Sequence, residues 1–232
     1  MVAGAVVSAV VLAASPGAQT TTSTTIVVPS TTTTNAEEAI PGTSELRRGD
    51  LDAAREKLVP YIATNPLDMD ARYLLGLVEE RAGDLDAAIA VYEEILAVDP
   101  RDFEARFHLG SIMRRAGELE QAIGEFEQAL QLNGDFTAAR VALAETLAMS
   151  GDVDRAIRLY FGVIEAQPMG VHFDQIRYHL ALLLIQVGQP DNAALQLSKA
   201  LVENPDNHDA RALLEELLTP TPTTVPTTAS ST

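Results

Sequence analysis

The chain has no cysteine and no tryptophan, and only 5% of its residues are aromatic. Without cysteine there is no thiol nucleophile, no cysteine-ligated zinc or iron–sulfur cluster, no disulfide framework and no lipid on an N-terminal cysteine. Basic residues are scarce: 16 Lys+Arg against 33 Asp+Glu leave a net charge of −17 over 232 residues. A chain this negative repels a phosphate backbone, so nucleic acid is not an expected partner. No G-x-x-x-x-G-K-[ST], G-x-G-x-x-G, G-x-S-x-G or H-E-x-x-H pattern occurs, which leaves phosphate cradles, nucleophile elbows and zincin sites without a sequence basis. The four histidines, His108, His172, His179 and His208, are too scattered to suggest a shared metal. The chain is read as non-enzymatic, with no cofactor and no metal.

Charge is absent from residues 1–36 and again from 217–232, so every ionised side chain lies between Glu37 and Glu216. Residues 2–14 are small or aliphatic apart from one serine. At about 1.5 Å per residue such a run is shorter than a hydrocarbon core of about 30 Å. Residues 1–18 are therefore expected to be a signal peptide or an N-terminal membrane anchor. Residues 20–34 hold nine threonines in fifteen, and 219–232 hold seven threonines and three prolines in fourteen. Such tracts form no amphipathic face, so both are expected to be disordered, 19–41 as a stalk-like linker and 219–232 as a tail. An apolar run, a threonine stalk and an acidic domain together point to an extracytoplasmic domain, membrane-anchored or secreted.

The middle of the chain repeats with a period of 34. Gly-acid pairs recur at Gly49-Asp50, Gly83-Asp84, Gly117-Glu118 and Gly151-Asp152, and Gly188 follows 37 residues later. Ala54, Ala88, Ala122, Ala156 and Ala193 keep the same rhythm, as do Arg72, Arg106, Arg140, Arg177 and Arg211. Every series absorbs three extra residues near Val171-His172-Phe173. Within a unit the spacing predicts two antiparallel helices. Leu74, Leu75, Val78 and Ala82 form an apolar stripe on the first; Leu85, Ala88, Ile89, Tyr92, Ile95 and Leu96 form one on the second. Gly83 suits the left-handed end of the first helix, Asp84 the cap of the next, and Asp99-Pro100 its end. Arg48-Gly49-Asp50 has the form of an integrin-type motif, yet it falls on the same junction as the other Gly-acid pairs and is read as a turn.

These residues resemble the tetratricopeptide repeat (TPR) family, whose 34-residue unit carries Leu-Gly in its first helix, Ala-x-x-x-aromatic in its second and a closing proline. The matches are Leu75-Gly76, Ala88 with Tyr92 and Pro100; Leu109-Gly110, Ala122 with Phe126; Leu143-Ala144, Ala156 with Tyr160 and Pro168; Leu180-Ala181 and Pro205. The resemblance implies an all-α superhelical solenoid of antiparallel helix pairs. A degraded unit is expected at 42–68, where Pro41-Gly42 occupies the first helix and Pro60 kinks the second. Full units follow at 69–102, 103–136 and 137–170, a unit with the three-residue insertion at 171–207, and a capping helix at 208–218.

In a stacked array the first helices line a concave surface, which in TPR proteins binds peptides, and the resemblance implies the same here. The candidate peptide-binding residues are Tyr73, Leu77, Phe107, Ser111, Arg114, Val141, Glu145, Tyr178 and Leu182. The aromatic row Tyr73, Phe107, Tyr178 is read equally as packing between units. The five arginines are expected to pair structurally, with acids such as Asp70 or Asp102. The expected partner is an apolar or basic protein segment, with membrane contact through the N-terminal segment alone. The resemblance implies an envelope-tethered adaptor or chaperone, of the kind that serves cytochrome assembly or export. The alternatives are a structural homo-oligomer, self-associating through the convex face or the insertion, and a cytoplasmic TPR scaffold.

Overall fold

A computed structural model describes residues 40–168 and 171–219. The segments read as signal or anchor, threonine linker and tail lie outside the described residues, apart from Ile40, Pro41 and Thr219. Among the described residues there are eleven helices and no strand. They run α1 (Thr43–Arg48), α2 (Leu51–Thr64), α3 (Met69–Ala82), α4 (Leu85–Val98), α5 (Phe103–Ala116), α6 (Leu119–Leu132), α7 (Thr137–Ser150), α8 (Val153–Ala166), α9 (Phe173–Gln186), α10 (Pro190–Glu203) and α11 (His208–Leu218). None of them is long and apolar enough to cross a membrane.

The Gly-acid pair makes each helical hairpin. Gly83 sits at φ +83°, a conformation that costs a side chain strain, and its amide closes the α3 end on Glu79 and Glu80 carbonyls. The Asp84 carboxylate then accepts from the Ala87 amide at 3.2 Å and caps α4. Asp50 and Asp152 repeat the bond at 3.2 and 3.3 Å, while Glu118, one methylene longer, makes no such cap. Asp68, Asp102 and Asn207 cap the first helices that follow the inter-unit turns.

Packing follows the chain. The extensive contacts join consecutive helices, and α5 also touches α7, as expected when first helices line an inner curve. Ala54, Ala88, Ala122, Ala156 and Ala193 are completely buried where paired helices approach. Close approach also explains Gly76 and Gly110: a β-carbon on Gly76 would stand 2.7 Å from the Tyr92 ring, and one on Gly110 2.9 Å from Phe126. The core is laid down in segments, one over α1–α3, one between α4 and α5, and a long one from α6 to α11.

The leading pair α1–α2 is shorter than the others because Pro41 and Gly42 leave only six residues for α1. It is held by ions as much as by apolar contact. Glu45 is bonded by Lys57 at 2.7 Å and Arg48 at 2.9 Å, and the Arg55 guanidinium grips Glu79 of α3 through two nitrogens. α2 continues as one helix through Pro60. At the other end α11 buries Ala210 and packs Leu213, Leu214 and Leu217 on the last unit, with Glu215 and Glu216 outward.

Candidate functional site

The first helices α3, α5, α7 and α9 place their residues in register. Tyr73, Phe107, Val141 and Tyr178 form one row, and Leu77, Ser111, Glu145 and Leu182 the next. The aromatic row is largely taken up by packing. The Tyr73 ring lies 6.1 Å from Tyr92 and 6.2 Å from His108, and its hydroxyl donates to Asp102, the residue that caps α5. Phe107 packs edge-on against Phe136 at 5.1 Å and lies 5.8 Å from Phe126. Tyr178 is half-buried, 5.7 Å from His179. Leu77 joins the core over α1–α3, Val141 packs on the long core, and Ser111 donates to the Phe107 carbonyl of its own helix at 2.9 Å.

Three candidate residues meet elsewhere. Arg114 on α5 pairs with Glu145 on α7, and both line a cavity of about 440 Å³ together with Leu182 on α9. Sequence reasoning missed the rest of its wall: Ala148 and Met149 of α7, Tyr160 of α8, His179 and Leu183 of α9. Met149 is 59% exposed and Leu182 39%, so the rim is apolar and open to solvent. The signal lay in a third row, Glu80, Arg114, Ala148, Ile185, where a long side chain shrinks to a methyl in the fourth unit.

Electrostatics differ along the solenoid. In the second and third units Glu80 Oε1 accepts from the Tyr92 hydroxyl at 2.6 Å and stands 2.9 Å from His108 Nδ1. Burial alone would raise the Glu80 carboxyl; the bonds from His108 and Tyr92 outweigh it and hold the group below its usual range. The same arrangement raises the Tyr92 hydroxyl, through burial first and the neighbouring carboxylate second. Tyr160 is also raised, by burial and by the charge of Glu145, but its hydroxyl makes no hydrogen bond among the described residues.

The arginine ladder is structural, with partners other than those expected from sequence. Arg72, Arg106, Arg140 and Arg211 each donate to the carbonyl six residues back, at Pro66, Pro100, Gly134 and Pro205, tying down the inter-unit turn. Three members of the ladder pair with an acid on the second helix of the same unit: Arg72 with Glu94 at 3.5 Å, Arg106 with Glu125 at 3.1 Å, and Arg177 with Glu203 at 2.8 Å. Asp70 and Asp102 are not among these acids, because Asp102 caps α5 and accepts from Tyr73. Arg48-Gly49-Asp50 is likewise spent on the fold: Arg48 bonds Glu45, Gly49 lies at φ +80°, and Asp50 caps α2. The insertion leads into the first residue of α9, and Val171, His172 and Phe173 border a second cavity of about 350 Å³ with Asp174, Glu203 and Asn204. Asp174 is buried and held by the side-chain amides of Asn204 and Asn207 at 2.8 and 3.0 Å. Met169, which flanks the insertion, lies outside the described residues.

Two tetratricopeptide repeat models match the chain, one over residues 42–102 and 81–133 and the other over 113–183, together more than half its length. Among solved structures the MamA protein is 25% identical, with 75% of this chain and 92% of MamA covered at a TM-score of 0.62. TTC0263, a thermophilic TPR protein of Thermus thermophilus, is 24% identical over 78% of this chain and 98% of its own, at 0.57. YrrB, a TPR protein with an unusual peptide-binding site, is 21% identical over 78% and 94%, at 0.61. No curated protein matches the chain.

Proposed function

The chain belongs to the tetratricopeptide repeat family, and on that premise we propose a non-enzymatic interaction scaffold whose concave groove holds a segment of a partner protein. The observation that carries this reading is the open, apolar-rimmed cavity between α5, α7 and α9. Solvent-exposed Met149 and Leu182 flank it, in a chain that otherwise spends its first-helix aromatics on packing. YrrB, a protein of like fold, has a peptide-binding site, which supports peptide binding as the use of this fold here. We place the scaffold outside the cytoplasmic membrane, tethered or released by residues 1–18, as an adaptor or chaperone for exported proteins; the uncharged apolar run and threonine tract support this. The acidic balance of −17 favours an apolar or basic client over an acidic one.

Photo-crosslinking in cells tests the reading, with a photoreactive residue at Met149, Tyr178 or Leu182 and at exposed Glu120 on α6 as control. One discrete heterologous product at the groove positions, absent at Glu120, is expected. A product equal to twice the chain, or a product at Glu120 alone, would replace the groove with self-association or a convex interface.

A further inference from the structure

This inference rests on the groove as a partner surface, and it comes from comparing the cavity with its own counterpart two units earlier. There Tyr92, Glu80 and His108 form a closed trio. The carboxylate bonds both rings, and the rings stack 4.8 Å apart at an interplanar angle of 5°. Moving two units along the repeat gives Tyr160, Ala148 and His179. Both rings are kept and the carboxylate between them is gone. The rings stand 6.5 Å apart at 39°, and the cavity opens beside them. Tyr160 is 2% exposed, yet its hydroxyl has no hydrogen-bond partner among the described residues. Its counterpart Tyr92 has a protein acceptor at 2.6 Å, so Tyr160 keeps a donor that no protein group uses beside the open cavity.

We propose that this cavity seats one side chain of the partner, an uncharged carboxamide on a short aliphatic stem, as in glutamine. Glutamine has the shape of the glutamate that fills the equivalent space over Tyr92. Its carbonyl accepts from the Tyr160 hydroxyl, its amide donates to Glu145 at the rim, and its methylenes lie against Met149 and Leu182. A carboxylate would meet Glu145 in a chain already at −17, with Arg114 occupied by that same Glu145. A purely apolar side chain leaves the hydroxyl unpaired, and a cation competes with Arg114 for its partner.

The test uses the full chain with 13C-labelled methionine methyls, the Met149 signal being assigned through Met149→Leu. The probes are the pentapeptide acetyl-Ala-Ala-Gln-Ala-Ala-amide and its Glu and Leu counterparts. The Gln peptide is expected to shift the Met149 methyl saturably and to bind more tightly than either counterpart. Tyr160→Phe weakens it about fivefold, the worth of one neutral hydrogen bond, whereas Tyr92→Phe leaves it unchanged. Ala148→Glu refills the space and abolishes the shift. No saturable shift, equal binding of the Glu or Leu peptide, or indifference to Tyr160→Phe and Ala148→Glu would overturn the proposal. A cellular crosslink at Leu182 that survives Ala148→Glu would sink this side-chain seat and leave the groove standing. Peptide binding without any crosslink would do the reverse.

Discussion

Tyr92→Phe removes one hydroxyl and leaves the ring in place, so it isolates a single bond. In the native chain that hydroxyl donates to Glu80 at 2.6 Å, and the Glu80 side chain is only 16% exposed. A hydrogen bond to an ionised group contributes about 1.5–3 kcal/mol net. Glu80 keeps His108 and some water, which places the expected loss near the lower end, about 1.5–2 kcal/mol. Tyr160→Phe makes the same chemical change two units away, where the hydroxyl bonds nothing among the described residues, and is expected to stay within about 0.5 kcal/mol. Urea unfolding of both full-length variants, followed by far-UV circular dichroism at pH 7 with slopes compared, measures the pair. The difference also has a pH signature. The Glu80 carboxyl is lowered in the fold, so its contribution is present above the ordinary carboxylate range and is lost as pH falls through the lowered value. The gap between the two variants therefore narrows on acidification. Equal losses at both tyrosines, or the larger loss at Tyr160, would refute the contrast between a closed and an open site.

Ala122→Leu forces three extra carbons into a completely buried helix crossing and is expected to cost about 1–3 kcal/mol, read as a lowered urea midpoint. Gly117→Ala puts a β-carbon on a residue at φ +84° with open space around it, so the loss is conformational alone, about 1 kcal/mol by the same assay. The Lys57 ammonium, as the largest influence, lowers Glu45 from 4.5 to about 2. Stability from this pair is complete above the ordinary value and falls as pH drops toward the lowered one, so thermal melts between those limits should show a decline that Lys57→Met flattens.

Much of the frame was legible because each unit states it again. The Gly-acid pairs mark the hairpin turns, the buried alanines mark the helix crossings, and the structure fills both roles with the same residues. The arginine series was legible as structural, but not its partners. Those are a carbonyl six residues back and an acid on the facing helix, contacts that depend on how the inter-unit turn folds. The aromatic row read from register as groove-lining is half-buried, since a first helix in a superhelix turns the same residues partly toward the next unit. The cavity was the least legible feature. Its signature is an alanine where an earlier unit has glutamate, and a small residue carries no sign of the empty volume beside it.

The central claim is that the surface of the first helices, around α7 and α9, is where a partner is held. Amide hydrogen exchange of the full chain, free and bound to the partner captured through Leu182, tests it most directly. Slowed exchange concentrated in α5, α7 and α9 is the predicted result. Slowing confined to α6, α8 and α10, with α7 and α9 unchanged, would contradict it.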